Sequence, residues 1–185
     1  MSPEASIAAT RAPTRTTLYR IRLLVIGLAE AKLFGPAMTG PDDMPTVLFV
    51  CVENTFRSVL SEALFNASAP PGWRAESAGV QAATAINPVV IDLLQEVGIR
   101  LGPKTPRTVT PDMVARASRV VTFGCLDRCP VGAKDKGEDW PIPGATGKSM
   151  DQLRAIRDEL QRRIADLQTR LPSFVEPTSP RTRKA

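Results

Sequence analysis

The segment Thr46–Val52 (TVLFVCV) constrains the fold more than any other stretch of the chain. It is an unbroken apolar run rich in β-branched residues. Such a run is short for a helix and suits a strand covered on both faces, as in parallel sheets. A polar loop follows, and then Ser58–Ala67 (SVLSEALFNA), where Val59, Leu60, Ala63 and Leu64 fall on one helical face. The chain therefore reads strand, short loop, helix.

The pattern recurs downstream. Trp73–Ser77 is expected to form a second strand and Arg119–Phe123 (RVVTF) a third, buried one. Asn87–Val97 predicts a helix with Asn87 as N-cap, Pro88 at the first helical position and Gly98 just past the end. Thr110–Ala117 repeats this in short form, with Thr110 as cap and Pro111 leading. Trp140–Gly147 reads as a Pro/Gly loop. Ser149–Leu171 predicts a long amphipathic helix, capped by Ser149, with Met150, Leu153, Ile156, Leu160, Ile164 and Leu167 inward. Strands alternating with helices imply an α/β fold with a parallel sheet and right-handed crossovers. Ligands of such sheets bind at the carboxyl ends of the strands, where Cys51 and Cys125 both fall.

The ends differ from this body. Residues 1–43 lack periodicity in their Ala-, Thr-, Pro- and Arg-rich first part. Arg20 and Arg22 before the apolar Leu23–Ala29 loosely imitate a secretory leader, but that stretch sits at the lower limit of length. The plainer expectation is a disordered or partly helical extension, or an upstream start codon, with Met44 opening the domain. Residues 44–171 form that domain, and residues 172–185, rich in Pro, Thr and Arg, a frayed tail. The apolar stretch is far too short to span a bilayer, so no membrane association is expected.

Composition narrows the chemistry. The net charge of +5 is spread as +1 over residues 1–43, +2 over 44–171 and +2 over 172–185. A nearly neutral body with one Tyr and two Trp does not suggest a nucleic-acid binder. Three cysteines do not make a secreted disulfide framework and fit a reducing compartment, so a cytoplasmic location is expected. The absence of His excludes Ser-His-Asp and Cys-His machinery and His-based metal sites. Any nucleophile must be activated without imidazole.

The loop Cys51-Val52-Glu53-Asn54-Thr55-Phe56-Arg57-Ser58 meets that condition. Wrapped onto a helix N-terminus, the backbone N–H groups of Val52 to Arg57 can converge on one tetrahedral oxyanion. Arg57 can add a bidentate fork to two anion oxygens. The same positive field stabilises Cys51 as a thiolate. Ser58 can donate to the sulfur, and Asn54 can brace the loop. Cys125 and Cys129 admit several readings: a redox pair, two core cysteines, or half of a zinc site for which no His and no second pair exist.

VLFVCVENTFRSVLSEAL resembles the opening of the low-molecular-weight protein tyrosine phosphatase superfamily, in particular its arsenate reductase branch. The resemblance continues through Glu76-Ser77-Ala78-Gly79, Asn87-Pro88, Glu96-Val97-Gly98-Ile99 and VVTFGCLDRCP, and covers about residues 45–168. It implies a three-layer α/β/α, flavodoxin-like fold with a four-stranded parallel sheet. It places the nucleophile on Cys51, the anion-binding arginine on Arg57, the thiolate-stabilising serine on Ser58 and the loop asparagine on Asn54. It also implies a relay. Cys51 attacks arsenate, Cys125 attacks Cys51 and releases arsenite, and Cys129 resolves the product into a 125–129 disulfide. An external thiol reductant such as thioredoxin then recycles the enzyme, with no metal or tightly bound cofactor, and a monomer is expected.

One departure matters. Relatives place an Asp-Pro pair, with the Asp as general acid, where this chain has Gly144-Ala145. Losing a positioned acid costs roughly 10²–10⁴-fold in rate. Asp139 could substitute only if the loop folds differently. Phe56, in place of a small or Cys residue, is expected to narrow the entrance or favour a small oxyanion. The leading expectation is an arsenate reductase. The alternatives are a phosphatase working through a phosphocysteine, and a catalytically weak oxyanion-binding or redox protein.

Overall fold

The computed structural model describes residues 44–172. The expected N-terminal extension and all of the expected tail beyond Pro172 lie outside the described residues. Four parallel strands form one sheet in the order β2-β1-β3-β4: β1 (Thr46–Cys51), β2 (Arg74–Gly79), β3 (Arg119–Thr122) and β4 (Gly137–Asp139). Every residue of β1 is buried, as a central strand covered on both faces requires.

Side chains alternate along β1 and feed two cores. Val47, Phe49 and Cys51 face helices α1 (Arg57–Ala67), α2 (Val89–Gln95) and α4 (Met150–Arg170), meeting Leu60, Leu93 and Leu160 among others. Leu48 and Val50 face the other way, onto Met113 and Val114 of α3 (Pro111–Arg116). This is the α/β/α architecture with four parallel strands that the resemblance implies.

The helices expected at Thr110 and Ser149 start at their caps, while α2 is shorter than the expected 87–97, with Pro88 at its N-cap position and Glu96 at its end. The Asn87 side chain accepts from Val89 N–H at 3.1 Å, and Thr110 accepts from Met113 N–H at 3.2 Å with Pro111 leading. Ser149 and Gln152 form a reciprocal capping box ahead of α4. Within the Pro/Gly loop, Trp140 is an anchor rather than a loop side chain. It is 4% exposed and meets Phe49 and Phe123 at ring-centroid distances of 6.0 and 6.1 Å. Among the described residues no helix is long and apolar enough to cross a membrane.

Candidate active site

Residues 51–56 leave the end of β1 and return into α1, and their conformation is fixed from outside. The carbonyl oxygens of Cys51, Val52, Glu53 and Thr55 accept from the amides of Val80, Gln81, Ala83 and Asn87, at 3.0, 2.8, 3.0 and 3.1 Å. In a trans peptide the N–H opposes the C=O. Tying those four carbonyls outward therefore turns the amides of Val52, Glu53, Asn54 and Phe56 to the other side, the inside of the loop. Asn54 N–H donates to Cys51 Sγ at 3.2 Å.

Asn54 sits at φ 56°, a left-handed conformation that asparagine tolerates better than most residues. It is wholly buried, and its amide orientation is fixed. Arg107 N–H can only donate, and it does so at 3.0 Å to Asn54 Oδ1. Asn54 Nδ2 must then donate, to Ser58 Oγ and to Ser77 Oγ, each at 2.9 Å. With Ser58 Oγ already accepting, its own proton is free for Cys51 Sγ, 3.0 Å away. The network thus aims a hydroxyl donor at the sulfur. Ser77 and the Arg107 backbone complete it and were missed in the sequence, because they lie 23 and 53 residues from Asn54.

Gly79 makes this packing possible. A Cβ there would lie 2.7 Å from Val52 O and 2.8 Å from Asn54 N, so only glycine lets the loop rest on β2. Gly79→Ala is expected to cost about 1–3 kcal/mol, as overpacking of a tight site does. Thermal unfolding should show the loss, and oxyanion affinity should fall with it. An unchanged midpoint together with unchanged phosphate binding would refute this role.

The loop opens onto a cavity of about 160 Å³. Cys51, Val52, Glu53, Thr55, Phe56 and Arg57 line it from one side, and Asn87 with Gly144, Ala145 and Thr146 from the other. Asn54 and Ser58 lie buried beneath. Phe56 is 4% exposed, packs into the core and borders the cavity. Arg57 Nη1 donates to Phe123 O at 3.1 Å and to Ile142 O at 2.9 Å, and the guanidinium lies 5.8 Å from the Phe123 ring centroid. One nitrogen is thus spent on positioning, while the group still lines the cavity.

Among the described residues, the only carboxylate on the cavity lining is the exposed Glu53. Asp139, considered as a substitute acid, is elsewhere. Its Oδ1 accepts from Thr122 Oγ1 and from Gly124 N–H at the end of the sheet. Loop 141–147 does not fold so as to bring Asp139 in, because β4 fixes that residue opposite Thr122.

Cys125 and Cys129 flank a single 3₁₀ turn, Leu126–Arg128, and both are free thiols. They do not line the cavity. Cys125 is buried and donates to Val50 O at 3.3 Å, and Cys129 is half-buried. The nearby Cys129 thiol draws Cys125 downward, against the opposing effect of burial. Cys129 is pushed upward by that same contact and by burial. Cys125 is therefore the more acidic of the two thiols, as suits an attacking sulfur.

A strand-borne cysteine, an amide-lined loop and an arginine at the following helix define an oxyanion-binding α/β protein of Cys-x5-Arg type. Residues 46–129 match the family model for low molecular weight phosphotyrosine protein phosphatase. A putative arsenate reductase of Halobacterium salinarum is 31% identical over 128 residues, 64% of this chain and 87% of that protein. The crystal structure of an arsenate reductase from Archaeoglobus fulgidus is 38% identical, with a TM-score of 0.56 over 66% of this chain and 98% of that one. A thioredoxin-dependent arsenate reductase of Corynebacterium glutamicum is 30% identical, with a TM-score of 0.59 over 83% of this chain and 71% of that one. The chain belongs to the low molecular weight phosphotyrosine protein phosphatase family. Within it, the chain stands in the arsenate reductase branch.

Proposed function

We propose that the protein is an arsenate reductase that works through three thiols and is recycled by a thioredoxin-type dithiol, in the cytoplasm, with residues 44–171 carrying the activity. The Cys51 thiolate attacks arsenate held by the loop amides and Arg57, forming an S–As bond as one oxygen leaves as water. Cys125 then attacks Cys51 Sγ. The S–S bond forms, the S–As bond breaks and its electron pair stays on arsenic, which departs as arsenite. Cys129 attacks Cys125 and frees Cys51, leaving a 125–129 disulfide for the external reductant. No tightly bound cofactor enters.

The observation that carries this reading is the Cys125 thiol bonded to the carbonyl of Val50, the residue before Cys51, with Cys129 at the far end of the single turn that follows Cys125. A phosphoester hydrolase needs only the first cysteine. The missing acid at Gly144 weighs against an ester leaving group and less against hydroxide or water. The test is arsenate-dependent NADPH oxidation with thioredoxin and its reductase. Wild type should turn over, and Cys125→Ser and Cys129→Ser should each lose steady-state turnover. Cys129→Ser should stop with a 51–125 disulfide. Full activity in Cys125→Ser, or aryl phosphate hydrolysis without arsenate turnover, would reject the relay.

A further inference from the structure

Cys51 and Cys125 are served by opposite faces of the sheet. Cys51 packs with Val47 and Phe49 in the layer of α1, α2 and α4. Cys125, 2% exposed, packs with Leu48 and Val50 in the layer of α3. For the two sulfurs to meet, the segment after β3 must leave its seat.

Asp139, the last residue of β4, holds that seat. One carboxylate oxygen accepts from Thr122 Oγ1 on β3 and also from Gly124 N–H, at 2.8 Å. Gly124, the second of these anchors, adopts φ +74° immediately before Cys125. No carboxylate role at the cavity competes, since Asp139 is not on its lining.

We propose that Asp139 is a positioning residue for the thiol relay: its carboxylate latches the Thr122–Gly124 turn and holds Cys125 on the face of the sheet away from Cys51 until the turn lets go. The proposal rests on the three-thiol reading. The step it controls is the attack of Cys125 Sγ on arsenylated Cys51. There the Cys125 proton goes to water, the new S–S bond forms and arsenic leaves with the S–As electron pair as arsenite.

The experiment is a single turnover with arsenate in full-length Cys129→Ser protein, where the relay stops at the 51–125 disulfide. The reaction is quenched by alkylation and the disulfide quantified by mass spectrometry. Adding Asp139→Ala should accelerate its formation about tenfold, the population shift expected from losing two ordinary hydrogen bonds. Asp139→Asn keeps an oxygen that can accept both bonds but loses the charge that pushes the Cys125 thiol up, so the variants are compared at a pH high enough to ionise Cys125 in all of them, where Asp139→Asn should stay near the parent rate. At that pH, alkylation of Cys125 in the resting protein should rise in Asp139→Ala and not in Asp139→Asn, a selectivity that neither general loosening nor the lost charge would give. Gly124→Ala stands in if Asp139→Ala does not fold. Its Cβ meets nothing within 4 Å, but it strains the left-handed turn and so should also speed the step. A rate at or below that of the parent in the folded variant overturns the latch. If arsenate gives no disulfide even in the parent, the reductase reading falls. The same series is then run with diamide, an azo oxidant that takes the two electrons and two protons of a thiol pair. Faster 51–125 cross-linking in Asp139→Ala would uphold the latch alone, and equal rates would end it.

Discussion

Cys51→Ser is expected to abolish arsenate turnover, by at least about 10⁴-fold, while leaving oxyanion binding nearly intact. A serine hydroxyl is a poor nucleophile unless a general base removes its proton. The chain contains no His, and among the described residues the sole carboxylate on the cavity lining is the exposed Glu53. The sulfur is served instead by donors, Asn54 N–H at 3.2 Å and Ser58 Oγ at 3.0 Å, which stabilise an anion and accept no proton. Those groups suit a thiolate and cannot activate an alcohol. Binding should survive, because the loop is set by its outward carbonyl hydrogen bonds and Arg57 by Phe123 O and Ile142 O, all untouched by the change. Calorimetric titration with inorganic phosphate should give nearly the wild-type affinity beside null turnover. Residual turnover above about one per cent would contradict the assignment of Cys51 as nucleophile.

Gly144→Asp should produce the largest gain. Gly144 borders the same cavity as Cys51, and a Cβ there would meet no heavy atom within 4 Å. A carboxyl group can therefore be added without displacing the loop. A positioned acid is worth about 10²–10⁴-fold to a reaction whose leaving oxygen needs a proton. Hydrolysis of aryl phosphates by Gly144→Asp should thus exceed wild type by roughly 10²-fold or more. Arsenate reduction, whose leaving group is hydroxide or water, should gain less. Steady-state hydrolysis of a series of aryl phosphates decides the matter. The gain should grow as the phenol becomes less acidic. A folded variant with wild-type rates across the series would show that Gly144 does not face the leaving group.

Much of this site could be read in the sequence because its signals are local. The β-branched run of β1, the loop and the helical spacing after Ser58 lie within 22 residues, and caps at Asn87, Thr110 and Ser149 announce their helices by residue type. What escaped depends on contacts between distant segments. β4 is three residues, Gly-Glu-Asp, and only half-buried or exposed, so it carries no apolar pattern to find. Trp140 looks like a loop residue until Phe49 and Phe123 are folded against it. Arg57 was expected to turn its fork to the oxyanion, yet one nitrogen is taken by carbonyls 66 and 85 residues away. Asp139 looked like a spare acid, and its pairing opposite Thr122 gives it another place.

The alternation of side chains along β1 also bears on how such a protein can diverge. One helical layer backs the cysteine at the oxyanion cavity, and the other backs the thiol pair. Under the proposed relay, most substitutions in the α3 layer would act on the thiol pair, and most under α1 on the anion cage, with Val52 and Phe123 as the residues where the two meet. A lineage could then alter one half of the proposed chemistry largely by drift in one layer, with the other half under separate selection.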